Sequence, residues 1–360
     1  MEKYKYNLDI QMFASIESAI QELSDKEMLN YARNIQLPDF LGDTLFPDVK
    51  TSSLTAVFVA NKNLLPVSAS VHSFDTKTQV ASRDGFESFE FEKILIKRQV
   101  RINEKLMLIL NQPRSKVEYN ETLKQIFDDA RNMMLAVKTR AERMKMDVLA
   151  NGEIVVDENN VKYTFDYSVP DEHKETITTE TDKWSDTENS DPLGDIQEWS
   201  DKIVDDTGVR PTRALTSLKI LRLLQKNKNI QISVNGENYQ GKAITLDELN
   251  NFMEMNDLPV IATYDAKYRK EDETGKQTKE RFFPEDKFVM FPDDNLGNGM
   301  YGATPTEIRR VKGTMEDVSF GNIHVTVRDE DDPVRTVTKA ESVFIPSFPA
   351  YNEVFQAKVI

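Results

Sequence analysis

The 360-residue chain has no cysteine and only three histidines, His72, His173 and His324. Without cysteine there is no disulfide, no thiolate metal site and no cysteine nucleophile. The histidines lie far apart, with no metal-ligand spacing between them. No apolar run approaches the ~20 residues of a membrane span. Residues 1–14 mix charges with aromatics and lack an apolar h-region. A soluble, non-secreted protein without membrane contact is expected. Basic residues are outnumbered, 46 Lys and Arg against 61 Asp and Glu, for a net charge of −15. That balance argues against broad nucleic-acid affinity, because phosphate binding needs a basic surface.

Signatures of catalysis are equally scarce. There is no Gly-Lys-Ser/Thr phosphate loop and no GxSxG nucleophile elbow. Gly297-Asn298-Gly299-Met300-Tyr301-Gly302 fits GxGxxG, but a dinucleotide site needs a strand ending at the first glycine and a helix starting within the motif. Residues 292–296 separate the motif from the nearest strand pattern, and Pro305 is expected to stop a helix. Asp293 and Asp294 repel phosphate, so a loop needing glycine backbone freedom is expected instead. The acidic groups at Asp205-Asp206, Asp293-Asp294 and 329–332 lack the alternating acids and glycine of a calcium loop. The sequence therefore predicts no catalytic residue, no cofactor and no resident metal: the chain is expected not to be an enzyme.

What the chain does contain is a long amphipathic helix, expected over 120–150. Leu123, Phe127, Ala130, Met134, Val137, Ala141, Met144 and Val148 recur in steps of four and three, marking one stripe. Asn120 offers an N-cap, and Gly152 tolerates the left-handed conformation that closes a helix. At ~1.5 Å per residue the helix spans roughly 45 Å, a beam along which other elements must lie.

Before it, Ile16, Ile20, Leu23 and Leu29 predict a helix over 15–35, in an arm with little else to bury. Pro and Gly break regular structure over 37–48. A strand at 54–60, and the alternation of Phe89 and Phe91 with Glu90 and Glu92, predict a two-stranded excursion over 61–97. Its polar tip includes Lys77. A connection this long in a compact chain is functional or disordered, and its expected place is across another subunit.

After the beam, 153–157 and 161–169 predict a hairpin, and 171–190 a polar, acidic boundary. Residues 192–206 predict an acidic helix carrying Asp195, Glu198, Asp201, Asp205 and Asp206. Residues 207–236 then hold no acid, and set Arg210, Arg213, Lys219, Arg222, Lys226 and Lys228 among leucines. A half-buried helix with a basic face is expected, with a nucleic-acid patch as the alternative. The two helices can also meet their counterparts on neighbouring copies and set orientation electrostatically. Further on, the pattern predicts a helix at 246–255 opened by Thr245, a charged loop at 267–280, and strands at 259–264, 287–291, 323–328, 334–338 and 343–345.

Several motifs stand in a consistent order. They are Leu37-Pro38 through Leu45-Phe46-Pro47, the strand at 89–101, and Asp191-Pro192-Leu193-Gly194-Asp195-Ile196-Gln197-Glu198-Trp199. Gly208-Val209-Arg210-Pro211-Thr212 follows, then Phe282-Phe283-Pro284 to Phe291-Pro292 with residues 297–306. Together they resemble the major capsid proteins of tailed bacteriophages, the lambda-type head protein E family. The opening Tyr6-Asn7-Leu8-Asp9-Ile10-Gln11-Met12-Phe13-Ala14 is similar to the start of many phage head proteins.

The resemblance covers most of the chain and implies an α+β protein with the tailed-phage/herpesvirus major capsid fold. By it, residues 1–50 are an N-terminal arm and 51–100 an extended loop built as a long β-hairpin. Residues 101–185 are a peripheral domain with its spine helix at 120–150, 186–317 an axial domain, and 318–360 the return strands of the peripheral domain. It implies hexamers and pentamers of this chain, closing into an icosahedral head around packaged double-stranded DNA. The DNA is contacted non-specifically, and the head is assembled in the host cytoplasm for the virion. It also implies a separate scaffolding protein, a portal protein at one vertex, and room for a decoration protein. A cellular nanocompartment shell of the same fold is the alternative, and a soluble metal-dependent enzyme with an acidic site the remote one. Candidate inter-subunit contacts are Lys77, Phe86, Phe89, Phe91, Asp195, Glu198, Arg213, Arg222, Lys226 and Lys228.

Overall fold

The computed structural model describes residues 37–61, 86–102, 115–158, 161–236, 243–272, 274–308, 316–320 and 322–360, with a few single residues between them. The helix expected over 15–35, and most of the polar tip of the excursion, lie outside the described residues.

In chain order, the first half contains α1 (Leu41–Leu45), β1 (Asp48–Lys50), β2 (Thr55–Asn61), β3 (Phe86–Glu92), β4 (Ile94–Ile102), α2 (Lys116–Asn151), β5 (Glu153–Glu158), β6 (Val161–Asp166) and β7 (Lys174–Thr176). There follow α3 (Pro192–Thr207), β8 (Arg213–Thr216), α4 (Leu218–Lys226), α5 (Lys228–Asn235), α6 (Leu246–Met255) and β9 (Val260–Thr263). The rest is β10 (Lys267–Glu271), β11 (Gln277–Arg281), β12 (Lys287–Phe291), β13 (Gly299–Gly302), α7 (Pro305–Ile308), β14 (Glu316–Phe320), β15 (Ile323–Asp331), β16 (Val334–Pro346) and β17 (Phe355–Lys358).

Two compact units share the chain. The smaller comprises Met1–Pro38, Leu95–Lys138 and Ala303–Val343, and the larger Asp39–Ile94, Thr139–Gly302 and Phe344–Ile360. α2 contributes to both. It runs for 36 residues, about 54 Å at 1.5 Å per residue. It begins at Lys116 rather than after Asn120, because nothing in Lys116-Val117-Glu118-Tyr119 interrupts a helix. Gly152, at φ +72°, closes it as expected. The stripe from Ala130 through Met134, Val137, Ala141 and Met144 to Val148 is buried. Towards the C-terminus Met146, Leu149 and Ala150 are buried as well. Burial on more than one side marks this stretch as a core helix, not a coiled-coil seam.

In the smaller unit β14, β15 and β16 form an antiparallel meander. Ile323, Val325 and Ala340 pack on Met133, Met134 and Val137 of α2, with Leu37, Ile96 and Val100 at the margin. Pro305 does not prevent a helix here. It takes the first position of α7, where its missing N–H is no loss, and the Glu307 amide donates to Thr304 Oγ1 at 3.1 Å.

The larger unit is built on a five-stranded sheet in the order β7-β17-β12-β8-β9. Its inner neighbours are antiparallel and its outer pairs parallel. Phe288 and Met290 of β12 and Phe355 and Ala357 of β17 point to one core, by the two-residue period of a strand. Helices α3 to α6 cover that core with Ile196, Trp199, Ile203, Leu221, Leu224 and Met253. Residues 171–190 also contribute to this unit. They supply β7 and the fully buried Trp184, stacked 5.8 Å from Trp199.

The basic stretch is not one helix. Arg213 lies on β8, and Asn227 divides the remainder. Asn227 ends α4 and caps α5, its Oδ1 accepting from the Ile230 amide at 3.1 Å while its Nδ2 donates to the Ser190 carbonyl. Thr245 caps α6 in a reciprocal box with Glu248.

Candidate functional site

The excursion begins as a strand pair. β2 and β3 are antiparallel, with Phe58 opposite Phe89 and Ala56 opposite Phe91. The Phe58 ring stacks on Phe89 at 5.0 Å, and Phe91 meets Tyr167 at 5.0 Å and Phe165 at 5.5 Å, edge to face. Tyr351 packs on Phe89 and donates its hydroxyl to Glu87 at 2.7 Å. Two of the expected inter-subunit contacts are therefore committed within the chain: Phe89 is buried and Phe91 half-buried against the chain's own aromatics. Aromatic residues alternating with glutamates mark a buried face, but the pattern does not say whose surface buries it. Phe86 pairs with Asn61 at the end of the ladder. Lys77 is exposed. The opposite face of the pair shows Val57 and Val59, each more than half exposed, beside Glu90 and Glu92.

Helix α3 is capped by Asp191, which accepts from the Gly194 amide, has Pro192 in its first turn, and closes at Gly208 with φ +73°. Its acids divide. Asp195 turns inward and accepts from Trp184 Nε1 at 2.8 Å. Burial raises its carboxyl pKa above the usual range, against the pull of that bond. Asp195 is thus half-buried and tied to Trp184 of its own chain. Glu198 stays exposed, 3.6 Å from Lys202. Among the expected cations, Arg213 lies over the Phe291 ring, 3.4 Å from Asp293, and Lys228 lies 3.7 Å from Glu188. Arg222 and Lys226 are exposed. The ten candidates do not converge on one place.

A polar cluster that the sequence reading missed lies where α2 meets the segment before the excursion. Lys145 has no exposed side-chain area, and its Nζ lies 3.0 Å from Asp43 Oδ1 and 2.9 Å from Asp48 Oδ1. One turn earlier, Glu142 Oε1 accepts from the Gly42 amide at 3.1 Å and from the Tyr264 hydroxyl at 2.8 Å. Burial raises the Glu142 pKa against those bonds and against Lys145. Together the two side chains hold α1 and β1 onto α2. The available signal was their position: each directly follows a residue of the apolar stripe, Ala141 and Met144.

Asp147 lies one further turn along α2, 3.6 Å from Arg143. Burial pushes its carboxyl up to about 6, although Arg143 and Arg140 pull it down. A raised folded-state pKa means that this group's contribution to stability is full below the unfolded value near 4 and is lost as pH rises through 6. Asp147→Asn should therefore stabilise the fold at pH 8 by on the order of 1–2 kcal/mol, with little gain at pH 4. Urea unfolding at the two pH values measures this, and an equal change at both contradicts the assignment.

His173 Nε2 donates to Asp206 Oδ2 at 2.9 Å, but among the described residues its Nδ1 is buried without a partner, so the pair holds no third member of a triad. Among the described residues no group of three or more His, Cys, Asp or Glu is arranged to hold a metal, and no helix is long and apolar enough to cross a membrane. The glycine motif leads into β13, not a helix. What Gly297 supplies is space: a Cβ there would lie 2.0 Å from the Ser347 carbonyl oxygen.

Comparison with known proteins gives a family and a fold. A family model described as phage major capsid protein E matches residues 26–359. A protein of an Escherichia coli CFT073 prophage, described as a capsid protein, is 16% identical with a TM-score of 0.58, over 97% of this chain and all of that one. A phage-related protein of Bordetella bronchiseptica RB50 is 13% identical with a TM-score of 0.53, over 93% of this chain and 97% of its own. The capsid of Myoviridae phage XM1 is 8% identical with a TM-score of 0.51, over 91% and 95%. No curated protein matches.

Proposed function

The chain belongs to the phage major capsid protein E family and forms the shell of a virion, and from that premise we propose how it is used. The family match over nearly the whole chain carries the conclusion. The polar and apolar surfaces described above fit a protein whose work is contact with copies of itself. No single contact need be strong, because avidity accumulates over many interfaces. Within the shell, residues 51–100 reach over an adjacent subunit, residues 186–317 gather around the hexamer and pentamer centres, and 318–360 return to the periphery. Lys77, Glu198, Arg222, Lys226 and Lys228 remain as contact residues because their side chains are exposed. Assembly takes place in the host cytoplasm with a separate scaffolding protein and a portal protein at one vertex. The net charge of −15 suits an inner wall that does not trap the genome. The protein catalyses no reaction.

Particle mass and electron microscopy, on the chain expressed alone and with its neighbouring genes, test this reading. Closed shells, or rings of five and six copies, are expected, with nucleic acid inside when the packaging genes are present. Shells filled with an enzyme cargo would point to a nanocompartment. A monomer in every condition would overturn the proposal.

A further inference from the structure

The segment over 267–280 is not a loop. β10 and β11 form an antiparallel hairpin, with Lys267 opposite Arg281, Tyr268 opposite Glu280, and Arg269 opposite Lys279. Residues directly opposite share a face, and faces alternate along a strand. One face carries Tyr268, Lys270 and Glu280, and is anchored to the chain. The Tyr268 ring lies 5.0 Å from Phe282 and beneath Arg143, its hydroxyl donates to Glu280, and Lys270 lies 3.6 Å from Glu158. The other face carries Lys267, Arg269, Lys279 and Arg281, with Lys276 exposed in the adjoining turn and Glu271 as the acid of that face.

Like charges directly opposite each other destabilise a strand pair, and a two-stranded hairpin has little stability to spare. Here two like-charged pairs share one face, in a chain whose net charge is −15. Arg281 is neutralised by Asp265 and Glu285. Among the described residues Lys267, Arg269 and Lys279 make no ion pair, and all three are exposed. The cationic face is thus turned outward, with Arg269 donating to Gln277 at 3.1 Å and Glu271 as its one acid.

We propose that this face docks on the acidic face of α3 in a second copy of the chain. The inference rests on the shell reading above. Residues 171–206 hold thirteen acids and three lysines. On α3, Glu198, Asp201 and Asp205 stand at spacings of three and four on the exposed side, a row of about 10 Å. Ile196, Trp199 and Ile203 fix the other side in the core. Lys267 and Arg269 span about 7 Å along β10, a comparable length. Lys202 and Arg210 are the local cations of α3, 3.6 Å from Glu198 and 3.4 Å from Asp201. They leave Asp205 without an ion pair among the described residues.

The test is charge reversal followed by exchange. Lys267→Glu, Arg269→Glu and Lys279→Glu together should reduce particle yield at low salt at least tenfold, with the circular dichroism spectrum and thermal midpoint of the wild type. Glu198→Lys, Asp201→Lys and Asp205→Lys together should do the same. The two sets combined in one chain should restore particles. Normal assembly of the hairpin variant overturns the proposal, as does failure of the combined chain to recover. Normal particles that hold less nucleic acid would also overturn it, by placing the hairpin against DNA. A wild-type chain that never assembles would instead overturn the shell reading on which the docking depends.

Discussion

Replacing Lys145 by methionine is expected to lower the unfolding free energy by about 3 kcal/mol at pH 7, the lower end of what removing one partner of a buried ion pair costs. Methionine keeps most of the volume and removes only the charge. Asp43 and Asp48 then face each other, and the buried Glu142 one turn away, without the cation that all three surround. The lower end applies because the side chains of Asp43 and Asp48 remain 24% and 36% exposed, so water recovers part of the loss. Adding Asp43→Asn and Asp48→Asn to the methionine variant should regain at least half of the deficit. Urea unfolding measures both effects. A loss below about 1 kcal/mol for Lys145→Met alone would mean that the carboxylates rehydrate freely and the cluster does not anchor α1 and β1. The same variant should expose the chain near residue 50 to limited proteolysis, since Lys145 and Glu142 hold that segment on α2.

Trp199→Ala should cost more, about 4 kcal/mol, and should abolish particles at 37 °C. Trp199 is 2% exposed and stacks on Phe355 at 5.1 Å. It also lies against Trp184, so the cavity opens at the junction of α3, β12 and β17. Its Nε1 donates to Glu175 Oε2 at 2.6 Å, which ties α3 to the edge strand β7. Trp199→Phe separates the two contributions. It retains most of the ring area and removes the bond, for a loss of about 1–2 kcal/mol. Equal losses in the two variants would assign the whole effect to the bond with Glu175 and none to packing.

Elements with a local cause were legible in the sequence. The stripe of α2, the glycine that closes it, the helix opened by Thr245 and the acidic helix beginning at Pro192 all follow from periodicity and capping, which depend on residues within one or two turns. The errors fell where the deciding partner is distant in sequence. The 267–280 segment has the composition of a solvated loop, yet it folds because Tyr268 finds Phe282 and Arg143. Residues 171–190 have the polar, acidic composition of a boundary, and within them Trp184 reaches a core at Trp199 and Phe288. Pro305 reads as a helix breaker and serves as a helix start, since its position within the element decides which it is.

The candidate contact residues show the same division. Phe89 and Phe91, Asp195 and Arg213 are of the types expected at interfaces, and the tertiary structure turns each of them to a partner in its own chain. The ordered series of motifs was enough to point to the family, and the lack of cysteine, of metal-ligand spacing and of a phosphate loop was enough to set aside whole classes of chemistry. The alternation of a strand or the stripe of a helix specifies which side chains share a face. Whether that face meets the core or solvent depends on packing between elements far apart in the chain. For that reason Lys145 is buried between two aspartates while Lys267, Arg269 and Lys279 remain outside as a charged surface.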